Sequence, residues 1–358
     1  MKTIVTLIIM LLSVIVIPGI SQEIRPIRDD IGFCWDKVQM DRFIDYFRST
    51  DPQKDEKPLS NLIAGISPHD DILYAGPTYY PLYKQIKTKE VVIFGVTHGT
   101  VRKEIGDPQE KLIFDSYKYW KGPYNLVEIS PLREYITSRL STDTFIINNK
   151  AHDLEHSIEA QIPFLQHFNP NIRITPIMVT GMDFQKMDKI ASQLASIIAA
   201  YIKENKLQLG KDIFFIMSAD ANHYGKDFNN TLYGEDEKAH QIAIDRDKKI
   251  ADTCLTQVIN PEKIQTLTTE LWGQTYKDYK DTYWCGKYSI PFGMLSLLHI
   301  IKDIDNTNEL TGTLLAFNDT YSSGVVPLTK TGCGITAVFS LKHWVSFLST
   351  GFQLSKKQ

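Results

Sequence analysis

Charge of one sign is what this chain of 358 residues conspicuously lacks: 39 Lys and Arg face 42 Asp and Glu, a formal net charge of −3. That balance excludes the electrostatic footprint needed to hold nucleic acid or an anionic membrane, and leaves a small soluble substrate as the simpler expectation. Cysteine is scarce too. Cys34, Cys254, Cys285 and Cys333 have no CxxC or zinc-finger spacing, which excludes a structural zinc site of that kind. In an oxidising compartment they allow one disulfide, whose pairing the spacing does not reveal. There is no P-loop, glycine-rich dinucleotide fingerprint, GxSxG elbow, internal repeat or low-complexity tract. The one long apolar run is Ile4–Ile17, preceded by Lys2 and followed by Pro18, Gly19, Ile20 and Ser21. It is shorter than the ~18–20 residues a spanning helix needs, so residues 1–21 read as a secretory signal peptide cleaved before Gln22. With no Cys near Ser21, lipid attachment is not expected. The expectation is an exported protein, periplasmic or extracellular, with no stable membrane insertion after cleavage. An uncleaved anchor is the alternative.

The chemistry begins at Asp212–Gly225, where the apolar run Ile213–Met217 ends abruptly in a loop holding Ser218, Asp220 and His223. Such a run suits a strand buried on both faces, and open α/β sheets bind ligands beyond the carboxyl ends of such strands. A capping Asp and a surface His in an ordinary loop is the plainer reading of the same stretch. Two further segments repeat the design: Leu62–Ile66 runs into Ser67-Pro68-His69-Asp70-Asp71, and Val91–Val96 into Thr97-His98-Gly99. A lone His is more often a satisfied polar residue than a ligand, and two at equivalent positions on successive strands lower those odds. Gly76-Pro77 is expected to open a helix through Ile86.

Ala151–Phe168 is the densest polar cluster. Leu154, Ile158, Ile162 and Leu165 recur at helical spacing, which gathers Glu155, His156 and Glu159 on neighbouring positions, with Pro163 expected to end or kink the helix. A solvated helix face is the plainer reading. Cys285 lies in a loop before a helix expected over Ile290–Ile301, a place that favours thiolate. Strand–helix alternation elsewhere, with helices over Met187–Lys203 and Glu235–Leu255, implies a sheet covered by helices. The end of the chain reads as strands at Thr313–Phe317, Val325–Leu328 and Gly334–Leu341, finishing in a short amphipathic helix.

Six segments in order resemble the Memo-like family, whose bacterial members are labelled AmmeMemoRadiSam system protein B. They are Ser67–Pro77, Val91–Gly99, Glu155–Gln166, Ile174–Val179, Ser218–Gly225 and Cys285–Leu295. The resemblance implies a fold like that of class III extradiol dioxygenases: one three-layer αβα sandwich over residues 22–358, with a mixed or largely parallel central sheet. It also implies that His69, His98 and Cys285 are metal ligands, with Asp220 and His223 in the same cleft and Glu155 and His156 close by as groups that support the ligands or handle protons. Two departures bear on the pocket's shape and charge. The family commonly has Pro-His-Ala-Gly-Tyr where this chain has Pro68-His69-Asp70-Asp71-Ile72, and two consecutive His where it has His98-Gly99.

Two imidazoles and a thiolate make a borderline-soft set that would hold one metal ion, iron(II) or copper ahead of zinc. Three protein ligands leave positions open for substrate or dioxygen. In related extradiol enzymes the third ligand is a carboxylate, so catechol cleavage transfers poorly. Three functions are carried forward. The first is a metal-dependent redox or oxygen-using enzyme with His223, Asp220 and His156 as catalytic groups, His223 being the acid/base that Asp220 orients. The second is an exported copper- or iron-binding protein without turnover. The third is a hydrolase using Cys285 as nucleophile with His223 and Asp220, which leaves His69 and His98 without a role.

Overall fold

A computed structural model describes residues 23–357; the signal-peptide expectation falls outside the described residues. The frame is set by strands with no polar face. Leu62–Ser67, Glu90–Gly95 and Ile213–Ser218 are buried at every position, as parallel strands covered on both sides require. They pair in parallel, with Ile213–Ser218 between the other two, and Arg173–Val179 continues the parallel set beyond Glu90–Gly95. On the opposite flank His343–Lys356 and Asn308–Asp319 extend the sheet antiparallel. The sheet is therefore mixed, with thirteen strands among the described residues.

Side chains alternate across it with the period of two that a strand imposes. Val92, Phe94, Phe215 and Met217 pack with helices Phe184–Glu204, Glu237–Leu255, Pro261–Leu271 and Ser289–Ile304. Val91, Ile93, Phe214 and Ile216 pack with helices Lys37–Thr50, Ile72–Tyr83 and Ile162–Phe168. The fold is the expected three-layer αβα sandwich. Among the described residues no helix is long and apolar enough to cross a membrane.

Three local expectations are corrected. The helix expected to open at Gly76-Pro77 begins at Ile72 and keeps Pro77 and Pro81 inside it. Packing compensates, because a Cβ on Gly76 would lie 2.2 Å from the Phe47 ring. The chain's end is neither the strands expected at Val325–Leu328 and Gly334–Leu341 nor a helix: residues 324–342 are irregular and His343–Lys356 is a strand. Trp344 through Phe352 are buried without a break, a pattern that leaves no solvated face for an amphipathic helix. Third, Ala151–Phe168 is not one helix. It breaks at Glu155, which is extended (φ −96°, ψ 135°), and Pro163 stands in the first turn of the last helical piece rather than ending it. The carbonyls freed by the break are satisfied by Arg25, whose guanidinium donates to His152 O (2.8 Å) and Glu155 O (2.7 Å). Glu159 turns away from Glu155 and His156 to pair with Arg25 and to accept the Asp29 N–H (2.8 Å).

Asp247 joins three elements at the heart of this frame. It is fully buried on helix Glu237–Leu255 and accepts from Thr282 Oγ1 (2.7 Å), Trp284 Nε1 (2.9 Å) and, on strand His343–Lys356, Ser346 Oγ (2.9 Å). Burial lifts its pKa to about 6 against those hydrogen bonds. A carboxyl raised above its unfolded value keeps its proton in the folded state, so stability falls as pH rises through the window from ~4 to ~6. The Asp247→Asn variant should lack that loss. Denaturant unfolding of both proteins should show the variant gaining about 2–3 kcal/mol on wild type between pH ~4 and pH ~7; parallel pH profiles would contradict the assignment.

Candidate metal centre

The buried strands carry no chemistry along their length, but their carboxyl ends do. His69 stands just past Leu62–Ser67, His98 past Glu90–Gly95 and Asp220 past Ile213–Ser218, three neighbouring parallel strands. Cys285 approaches from the segment ahead of helix Ser289–Ile304. Its Sγ accepts the Asp220 N–H (3.1 Å) and lies 3.3 Å from His69 Nε2. One ligand atom each from His69, His98 and Cys285 falls within 4.8 Å of the others, and so does the set Asp220, His223 and Cys285.

Hydrogen-bond accounting decides which ring nitrogens are free. Ser218 Oγ has a single proton, which goes to Ser157 O (2.6 Å). Its acceptor capacity is then taken by Gln161 Nε2 (2.9 Å) and His69 Nδ1 (3.0 Å), so His69 carries its proton on Nδ1 and a lone pair on Nε2. His98 is fixed the same way by a different partner. Its Nδ1 donates to Glu155 Oε1 (2.8 Å), leaving Nε2 for a ligand. Glu155 is itself held by the N–H groups of His98 (2.9 Å), His156 (3.0 Å) and Ser157 (3.0 Å). A carboxylate–histidine pair of this kind orients a metal-binding imidazole and raises its basicity.

At the centre, acceptors outnumber protons. His69 Nε2 meets Cys285 Sγ at 3.3 Å and Asp220 Oδ2 at 3.4 Å, and the thiol's one proton is also within reach of the Asp220 carbonyl oxygen (3.3 Å). A nitrogen lone pair, a sulfur and a carboxylate facing one another are the environment a cation fits. The residues present therefore suit a metal. Among the protein's own groups, burial and the Asp220 charge push the Cys285 thiol well above its usual value, and burial raises Asp220 to about 7. Burial drives His69 well below the usual histidine range, with His98 and His156 adding to it. For His98 burial acts in the same direction, yet Glu155 outweighs it and the net shift is upward.

Two cavities open onto the cluster. One of about 570 Å³ is lined by His69, Asp70, His156, Asp220 and His223; another of about 710 Å³ reaches His98, His156, His223, Tyr283 and Cys285. His156 stacks on His98 with ring centres 4.9 Å apart and planes at 10°. Burial, then repulsion from His98, lowers His156 to about 4 and His223 to about 3, so both are neutral at physiological pH. Asp220 does not orient His223 by a hydrogen bond: its carboxylate accepts the His69 N–H (2.9 Å), while His223 packs edge-on against Phe228 at 5.0 Å. His223 Nε2 is buried with no hydrogen-bond partner among the described residues. Both members of the acid pair that departs from the family pattern line the cavity of about 570 Å³, and Asp71 there accepts the Thr336 N–H (2.6 Å).

Sequence reasoning missed Gln161, which fixes Ser218 and is fixed in turn by Tyr83. A signal was present: Gln161 stands between Ile158 and Ile162–Phe164, and an amide buried beside apolar neighbours needs a specific partner.

Residues 34–317 match the family model described as Memo-like protein. The chain belongs to the Memo-like family. MEMO1 family proteins among its relatives include one from Aquifex aeolicus, 30% identical over 192 residues that cover 53% of this chain and 63% of that protein. One from Desulfurococcus amylolyticus is 28% identical over 214 residues, covering 58% and 68%. Another, from Sulfurisphaera tokodaii, is 33% identical over 181 residues, covering 48% and 56%. The chain thus spans 63% of the Aquifex protein's length, and the match to this Memo-like chain ends before strand His343–Lys356 begins.

Glu155 is where the Memo-like centre is most easily tested. Glu155→Gln keeps an acceptor for the backbone N–H groups but removes the charge behind His98, and should weaken metal binding by ~10–100-fold with the fold intact. Competition with a chromogenic chelator measures this; unchanged affinity would remove Glu155 from any orienting role.

Proposed function

We propose that this Memo-like protein is a metal-dependent redox or oxygen-using enzyme acting on a small molecule, exported after loss of residues 1–21. The observation that carries the reading is a His69–His98–Cys285 donor set open to two cavities, with the neutral imidazoles of His156 and His223 alongside. Iron(II) or copper suits two imidazoles and a thiolate, and when bound would supply electron transfer and an open position for substrate or dioxygen. His223, with an unpartnered Nε2, is the group to take or return a proton at a substrate atom. His156 stacks against His98 and serves as a second proton acceptor in the cavity. Asp220 holds the His69 backbone and faces its Nε2, so its role is to position that ligand.

A metal-binding protein without turnover would use the same three ligands, but would have no use for two neutral imidazoles beside an open position. The Cys285-nucleophile hydrolase lacks the His223–Asp220 relay it requires, since among the described residues Sγ is hydrogen-bonded to Asp220 N, Asp220 O and His69 Nε2 rather than to His223.

Protein purified without added metal and analysed for metal content should contain iron or copper in wild type and little in His69→Ala, His98→Ala and Cys285→Ala. His223→Ala should retain the metal yet lower metal-dependent dioxygen consumption with ascorbate by roughly 10²-fold. Equal metal in wild type and all three ligand variants would refute the site. Full oxygen consumption in the His223 variant would remove His223 from the proton-transfer role, and a metal-loaded wild type that consumes no oxygen would return the protein to the non-catalytic reading.

A further inference from the structure

Residues 324–342 form an irregular strap between Thr320–Ser323 and strand His343–Lys356. It is tied down at intervals. Val326 N donates to Leu73 O (2.8 Å), Thr336 N to the Asp71 carboxylate (2.6 Å) and Gly334 N to Ile31 O (2.8 Å). Arg42 donates to the carbonyls of Thr329 (3.0 Å) and Lys330 (3.2 Å). The strap's Thr336, Ala337 and Phe339 line the cavity of about 570 Å³, as do Asp29, Asp30 and Ile31 from the N-terminal segment. The Gly334–Ile31 bond therefore joins two parts of one cavity wall.

A cysteine lies on each side of that join. Cys34 is 1% exposed, its Sγ 3.9 Å from the Thr331 carbonyl oxygen, and Cys333 packs against the same apolar cluster while remaining partly exposed. Burial raises the Cys34 thiol to about 12, and the neighbouring Cys333 adds to the rise. The turn around Cys333 has two left-handed positions, Lys330 (φ 54°) and Gly332 (φ 71°). Neither remaining cysteine competes. Cys254 is buried in the core on the other face of the sheet, and Cys285 stands at the strand tips among the metal donors.

We propose that Cys34 and Cys333 are a disulfide-forming pair that fastens the strap to the Ile31–Cys34 segment and closes one wall of the cavity over the site. The proposal does not depend on which metal binds or on turnover. The oxidant is an external disulfide. The partly exposed Cys333 thiolate attacks one of its sulfurs and expels a thiol, and the Cys34 thiolate then displaces the second thiol from the mixed disulfide. Two cysteine protons end on the two released thiols, and two electrons pass to the external disulfide. The cross-link joins residues nearly the whole chain apart, the geometry in which a constraint on the unfolded chain is largest.

The test uses the full chain exposed to oxidised glutathione, alkylated, digested and mapped without reduction. A Cys34–Cys333 peptide with a mass lower by about 2 Da is expected, together with a fall from four alkylatable thiols to two under denaturing conditions. Tryptic cleavage at Lys330, timed on the native protein, should slow at least ~10-fold on oxidation and recover with dithiothreitol, because the closed strap opens less often. Cys333→Ser, at a partly exposed position, should fold and show neither change. The proposal is overturned by three results: absence of the linked peptide from folded, oxidised protein, a stable glutathione adduct at Cys333, or cleavage at Lys330 that ignores redox state.

Discussion

A hydroxyl has one proton to give, and at Ser218 that proton goes to the Ser157 carbonyl. The tautomer of His69 follows from this commitment. Gln161 and His69 must both donate to Ser218, so His69 presents a bare Nε2 toward Cys285 and Asp220. Glu155 imposes the same outcome on His98 by a different route, as a carboxylate that can only accept. Two imidazoles with Nδ1 engaged and Nε2 free, beside a sulfur, form a donor set in want of a cation.

The fold supplies the positions rather than the chemistry. Strands buried on both faces offer no polar group along their length, so His69, His98 and Asp220 appear where three neighbouring parallel strands end together. The segment after Ala151 has to leave the helix for Glu155 to reach His98, and the interrupted backbone is bound by Arg25 from the N-terminal strand Ile24–Arg25. Local helix propensity is given up at Glu155 to orient a ligand, and a buried ion pair between Arg25 and Glu159 holds the break in place. Loss of one partner of such a pair typically costs about 3–5 kcal/mol, so this distant pair guards the geometry of His98.

Much of this was legible in the residues. All-apolar runs ending in His or Asp announced both the sheet and its active edge, because a run with no polar face has to be covered twice. The resemblance to the Memo-like family singled out His69, His98 and Cys285, which the structure brings together. The break at Glu155 was not legible, since Leu154, Ile158, Ile162 and Leu165 keep helical spacing whether or not the helix is continuous. Gln161 hid in the same stretch as one amide in an apolar run. The final strand was misread because nine successive buried positions, Trp344–Phe352, include Ser346, Ser349, Thr350 and Gly351, which imitate a polar face in sequence. Partner choice for Asp220 was beyond sequence altogether: His69 and His223 were both within reach of the same loop, and only the fold puts the His69 backbone against that carboxylate.

X-ray absorption at the metal edge of copper- or iron-loaded protein tests the central claim most directly. The account expects one sulfur scatterer and two imidazoles, at distances near ~2.3 Å and ~2.0–2.1 Å by comparison with zinc-like centres. The sulfur should vanish in Cys285→Ser while the imidazole signal persists. A first shell of oxygen and nitrogen alone in the wild-type protein would contradict it.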